Sequence, residues 1–104
     1  MLPDQTIQAA IERIVAAADP TKVILFGSYA RGEANEDSDL DLMVVEPHVD
    51  DRAAEMIRLR RAVGPVGIGV DVLVYSDTEF EERKNWLSTV VYWASREGKV
   101  LYEK

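Results

Sequence analysis

Three aspartates and one glycine–serine pair carry the residues with chemical potential in this chain. Asp39 and Asp41 stand two apart at the head of an apolar run, and Asp71 lies inside another apolar run, between Val70 and Val72. Side chains alternate faces along an extended segment, so Asp39 and Asp41 point the same way. Carboxylates held a few ångströms apart repel, and one takes up a proton unless a cation joins them. Mg²⁺ is the natural cation, because it favours one or two carboxylates together with phosphate oxygens. Upstream, the apolar run Val23-Ile24-Leu25-Phe26 stops at Gly27-Ser28. That corner offers backbone N–H groups, a hydroxyl and the start of a helical turn, which together suit a phosphate. Aspartate is depleted in strands and costly to bury alone, which makes Asp71 conspicuous. If its strand lies beside that of Asp39 and Asp41, three carboxylates converge. Such a set suits two metal ions about 3.5–4 Å apart, clamping the attacking and leaving oxygens of an in-line displacement. Taken singly, each feature is ordinary turn or strand chemistry, and only the combination is specific. Arg31 divides between two roles, phosphate neutralisation and a scaffold pair with Glu33.

The elements that must position these groups follow from hydrophobic spacing. Ile7, Ile11, Ile14, Val15 and Ala18 recur at helical intervals and predict a helix over residues 5–18, ended by Pro20. Residues 22–26 read as a buried strand, 29–31 as one helical turn, and 32–38 as a polar loop. A second strand over 39–45 sets Asp39, Asp41, Met43 and Val45 on one face and Leu40, Leu42 and Val44 on the other. Asp50 or Asp51 caps a helix over 52–63, with Met56, Leu59 and Val63 inward. Gly64, Pro65, Gly67 and Gly69 make a turn before a strand over 70–75. Ser76 and Glu79 have the spacing of a capping box, opening a helical region to about residue 97 that breaks near Asn85. Trp86, Leu87, Val90, Val91 and Ala94 form its expected apolar stripe, Gly98 its stop, and residues 100–102 a last edge strand. Helices alternating with short strands predict an α/β (α+β) fold, a small sheet with helices packed on it; strand order is not legible.

Composition narrows the function. The 104 residues are expected to form a single domain spanning 1–104, with one core. Nineteen acidic against twelve basic side chains give a net charge of −7, the wrong sign for gripping nucleic acid by its phosphates, so direct nucleic-acid binding is not expected. No apolar stretch approaches the ~20 residues that cross a bilayer. With no such segment, no signal-peptide pattern at the start and no cysteine, the expected location is the cytoplasm, with no thiolate metal site or cysteine nucleophile. Arg52, Arg58, Arg60 and Arg61 read as a solvated helix face, His48 as an incidental surface residue, and Tyr92 and Trp93 as packing.

The run Gly27-Ser28-Tyr29-Ala30-Arg31-Gly32, followed by Ser38-Asp39 and Asp41-Leu42, resembles the minimal nucleotidyltransferases of the DNA polymerase β-like superfamily. Asp71 within Val70-Asp71-Val72 falls where that family carries its third carboxylate, and the Gly98–Glu103 ending is similar to the family's C-terminus. The resemblance implies a small mixed sheet with helices on one side. It implies Mg²⁺ (two ions) on Asp39, Asp41 and Asp71, the phosphates of ATP at Gly27, Ser28 and Arg31, and transfer of AMP to a hydroxyl. Many members look like antitoxins paired with a HEPN-domain toxin. On that pattern the chain adenylylates a hydroxyl, expected to be a tyrosine's, of such a toxin and silences it. Two other readings stay open: a non-catalytic antitoxin that masks its partner, and a transferase acting on a small molecule.

Overall fold

The computed structural model describes residues 2–104. Nine elements follow one another: α1 (Asp4–Ala18), β1 (Lys22–Phe26), α2 (Ser28–Arg31), β2 (Leu40–Glu46), α3 (Arg52–Val63), β3 (Val70–Ser76), α4 (Asp77–Arg83), α5 (Val90–Glu97) and β4 (Lys99–Glu103). The strands form one mixed sheet in the order β3-β2-β1-β4. β1 runs antiparallel to both β2 and β4, whereas β2 and β3 are parallel. A parallel pair needs a crossover, and α3 supplies it.

Local signals set most boundaries. Asp51 caps α3 by accepting from the Ala54 N–H at 3.0 Å. Ser76 and Glu79 close a reciprocal capping box on α4, at 3.1 and 3.0 Å. α1 ends at Ala18, as the spacing predicted, two residues before Pro20: Asp19 adopts a left-handed conformation (φ 46°) and its N–H returns to Val15 O, so Pro20 follows a turn already closed. The second strand begins at Leu40 rather than Asp39 and extends through Glu46, so Asp39 stands just outside the ladder.

The alternation along β2 divides the core. Leu40, Leu42 and Val44 join Val23, Leu25, Val70, Val72 and Val74 beneath α1 and α3. Ile11, Ile14, Leu59 and Val63 seal that layer and are fully buried, each contributing about 1.5–3 kcal/mol. Met43 and Val45 lie on the opposite face with Ile24, covered by Phe80 of α4 and by Val91 and Ala94 of α5. Helices therefore occupy both faces, which corrects the one-sided arrangement implied by the resemblance. The expected apolar stripe is also corrected. Val91 and Ala94 are buried, but Trp86, Leu87 and Val90 are exposed, as is Trp93. The helical region breaks over residues 84–89, and a single helical period does not carry across a break.

Candidate active site

α4 and α5 cover one end of their face and leave the other end open, where the three aspartates lie. β2 and β3 are paired in a register that sets Asp41 directly beside Asp71, while Phe26 of β1 flanks Asp41 on the other side. Three neighbouring strands thus contribute to one row, which ends at the Gly27-Ser28 corner. Two glycines let the chain approach the carboxylates. Gly27 has φ 72° and ψ −155°, a conformation reserved for glycine, and a Cβ there would overlap Asp41 Oδ2. A Cβ on Gly69 would likewise overlap Asp39 Oδ1.

Asp39 is fixed from outside the ladder. The Leu40 N–H donates to Gly69 O at 2.9 Å, which ties the entry of β2 to that of β3. Before it, the polar loop is internally bonded: Ser38 Oγ accepts from Asn35 N–H at 2.9 Å and Asn35 Oδ1 from Asp37 N–H at 2.8 Å. Asp39 and Asp71 are exposed and Asp41 is half-buried between them. Burial pushes the Asp41 carboxyl up to about 6; the neighbouring Asp71 adds to this by charge and hydrogen bonding, and Asp39 by charge. Arg31 opposes the rise. It also pairs with Glu33 at 3.4 Å, the scaffold role that the sequence allowed it.

Asp41 and Asp71 are therefore brought together, with Asp39 alongside. No salt bridge fills the space between them among the described residues. Nor are any three His, Cys, Asp or Glu side chains of the described residues grouped so that together they could hold a metal ion. The donor set is a carboxylate pair with a third carboxylate in electrostatic reach. That composition fits Mg²⁺, which takes one or two protein carboxylates and completes its shell with phosphate and water. α2 begins at Ser28, directly after Gly27, so the hydroxyl and the first-turn N–H groups lie next to this pair.

The arginine stretch on α3 splits. Arg52 donates to Val74 O at 3.0 Å and pairs with Glu79, and Arg58 pairs with Glu55 at 2.7 Å. Arg60 and Arg61 instead line a cleft of about 530 Å³ that also contains Asp41 and Asp71. Spacing alone missed the contribution of Phe26, Met56 and Ile57 to that cleft; the visible signal was an isoleucine among charged residues on α3. His48 pairs with Asp50 in the loop after β2, apart from these groups.

Comparison with known proteins bears on the family and the fold. The model of the nucleotidyltransferase domain family matches residues 7–93. A Methanocaldococcus jannaschii protein, named as a candidate protein adenylyltransferase, is 33% identical over 81 residues, covering 78% of this chain and 77% of that one. Among solved structures, a candidate nucleotidyltransferase from Sulfolobus solfataricus superposes with a TM-score of 0.66 at 17% identity, covering 96% of this chain and 79% of that one. A toxin–antitoxin structure with AMP-PNP gives 0.61 at 21% identity, covering 93% and 73%. At these identities the two structures establish a shared fold.

Proposed function

The chain belongs to the nucleotidyltransferase domain family, and from that premise we propose that it transfers AMP from ATP to a hydroxyl of a partner protein. The partner we propose is a HEPN-type toxin that the modification silences. The observation that carries the chemistry is the Asp41–Asp71 row: two carboxylates from adjacent parallel strands, one with a raised pKa, next to a glycine–serine corner. Asp39, Asp41 and Asp71 would hold Mg²⁺, which when bound neutralises phosphate charge and orients the triphosphate. Ser28 and the N–H groups after Gly27 bind the outer phosphates, with Arg31 adding positive charge from the end of α2. Asp71 accepts the proton of the incoming hydroxyl. The hydroxyl oxygen then bonds to the α-phosphorus, the bond from that phosphorus to its bridging oxygen breaks, and pyrophosphate leaves with the electron pair.

The adenylyltransferase name of the archaeal relative and the toxin–antitoxin context of the structural neighbour support a protein acceptor. The test is incubation of the purified chain with the product of its neighbouring gene, labelled ATP and Mg²⁺. Label on the partner, located by mass spectrometry, is the expected result; its absence with both proteins folded overturns the reading.

One observation favours masking as the alternative. Trp86, Leu87, Val90 and Trp93 are exposed, and such apolar surface marks protein contacts. Replacing Asp39 and Asp41 together by Asn separates the two readings. Neutralisation that survives at full strength belongs to masking, and neutralisation that is lost while the complex persists belongs to transfer.

A further inference from the structure

Strand order fixes the direction from which the acceptor must come. An in-line displacement places the nucleophile opposite the leaving group. With pyrophosphate at the Gly27-Ser28 corner after β1, the opposite side is reached by crossing β2 to β3, the edge strand that carries Asp71. The cleft beside Asp41 and Asp71 lies on that side, between β3 and the outer surface of α3.

Its lining is not that of a generic surface. Its apolar floor wraps the β3 edge: Met56 and Val72 belong to the α3 face of the sheet and Phe26 and Leu73 to the α4–α5 face, and Ile57, 54% exposed, extends that floor outward. Arg60 and Arg61 form the charged part of the wall. Acidic side chains outnumber basic ones by 19 to 12, yet neither arginine has a carboxylate partner among the described residues. Arg60 bonds only to a backbone oxygen, Gly64 O at 3.2 Å.

Resting on the transferase reading above, we infer that this cleft is the acceptor site and takes a protein segment whose tyrosine is flanked by acidic residues. The aromatic ring packs on the apolar floor with its hydroxyl towards Asp71, and the flanking carboxylates meet Arg60 and Arg61. These two arginines determine specificity and take no part in bond making. Charge complementarity at the rim of a site governs which partners dock, and an otherwise acidic chain would repel an acidic segment everywhere else.

The test uses two synthetic peptides with a central tyrosine, one flanked by Asp and Glu and one by Ser, with labelled ATP and Mg²⁺. The intact chain should label the acidic peptide with a kcat/KM about tenfold higher, mostly through KM. Joint Arg60→Glu and Arg61→Glu substitution should erase or invert that preference, and joint Arg60→Gln and Arg61→Gln substitution should reduce it. Thermal melting checks both variants; if the charge-reversed one is unfolded, the glutamine pair carries the test. Equal labelling of the two peptides, or a preference that survives substitution, overturns the acceptor assignment and leaves the transferase reading standing. If neither peptide is labelled, fluorescence anisotropy of dye-tagged peptides with AMP-PNP and Mg²⁺ decides. Binding that depends on Arg60 and Arg61 supports the cleft and counts against transfer, whereas binding indifferent to them overturns the cleft.

Discussion

Two groups of carboxylates sit at opposite ends of β2, on opposite faces of the sheet, and they resolve crowding differently. At the far end Glu46 is 7% exposed beneath the α3 face, and burial together with a hydrogen bond to Glu55 raises its carboxyl well above the ordinary range. Arg58 grips Glu55 through two bonds of 2.7 Å, which holds Glu55 below that range, and also donates to Ala17 O. A proton on Glu46 and a guanidinium on Glu55 satisfy this cluster from within, except for the unpartnered Glu46 Oε2. At the near end Asp41 is crowded by Asp71 and Asp39, and the exposed Arg31, shared with Glu33, compensates it in part. The lesson lies in what is withheld. A carboxylate cluster becomes a candidate for binding when the fold leaves its charge unanswered and open to solvent.

The sharpest way to break this comparison is Asp41→Asn. Transfer should fall by about a thousandfold, as when a group that stabilises transition-state charge is removed, while the melting temperature holds or rises because repulsion is relieved. Loss of both activity and stability would mean that Asp41 is structural, like Glu46. Next is Gly27→Ala, which strains a glycine-only backbone and pushes on Asp41. Activity should drop about a hundredfold, by misplacement of the reacting groups, with a loss of about 1–3 kcal/mol in denaturant unfolding.

The pH dependence of stability sharpens the contrast further. Asp41 has a folded pKa raised from 3.8 to about 6, so its contribution is fully present below pH 4 and lost as pH rises through 6. Glu46 acts in the same direction at higher pH. Mg²⁺ should restore the melting temperature above pH 6, and Asp41→Asn should abolish that rescue while Glu46→Gln preserves it. The smallest effect is expected from Arg58→Ala, about 1 kcal/mol of stability in a chemical melt, since the arginine of the Arg58–Glu55 pair is half-exposed.

Much of this was legible in the residues. The β2 alternation placed Met43 and Val45 opposite Leu42 and Val44, and the Ser76–Glu79 spacing announced its capping box. The aspartates were conspicuous because Asp41 and Asp71 interrupt apolar runs and Asp39 stands two residues before Asp41 at the head of one. Strand order was hidden, because pairing is set by how faces pack and not by a local pattern. The direct neighbouring of Asp41 and Asp71 was therefore conditional until the fold was known. Glu46 lay beyond the strand expected over 39–45, although its phase with Leu42 and Val44 already put it on the buried face. Trp86 and Leu87 were misplaced for the converse reason, a periodicity extended through residues that do not continue the helix.

The parallel pairing of β2 with β3 also bears on how the chain reaches its working state. Side chains alternate along β3, so a slip of one residue would turn Asp71 to the opposite face and bury its charge among the apolar side chains there. That pairing joins residues thirty apart across the α3 crossover (Asp41 to Asp71), a longer loop to close than β1 and β2 need, where Phe26 meets Asp41. Turnover during refolding therefore counts molecules with the crossover complete and the ladder in phase, and it should lag behind recovery of helical signal.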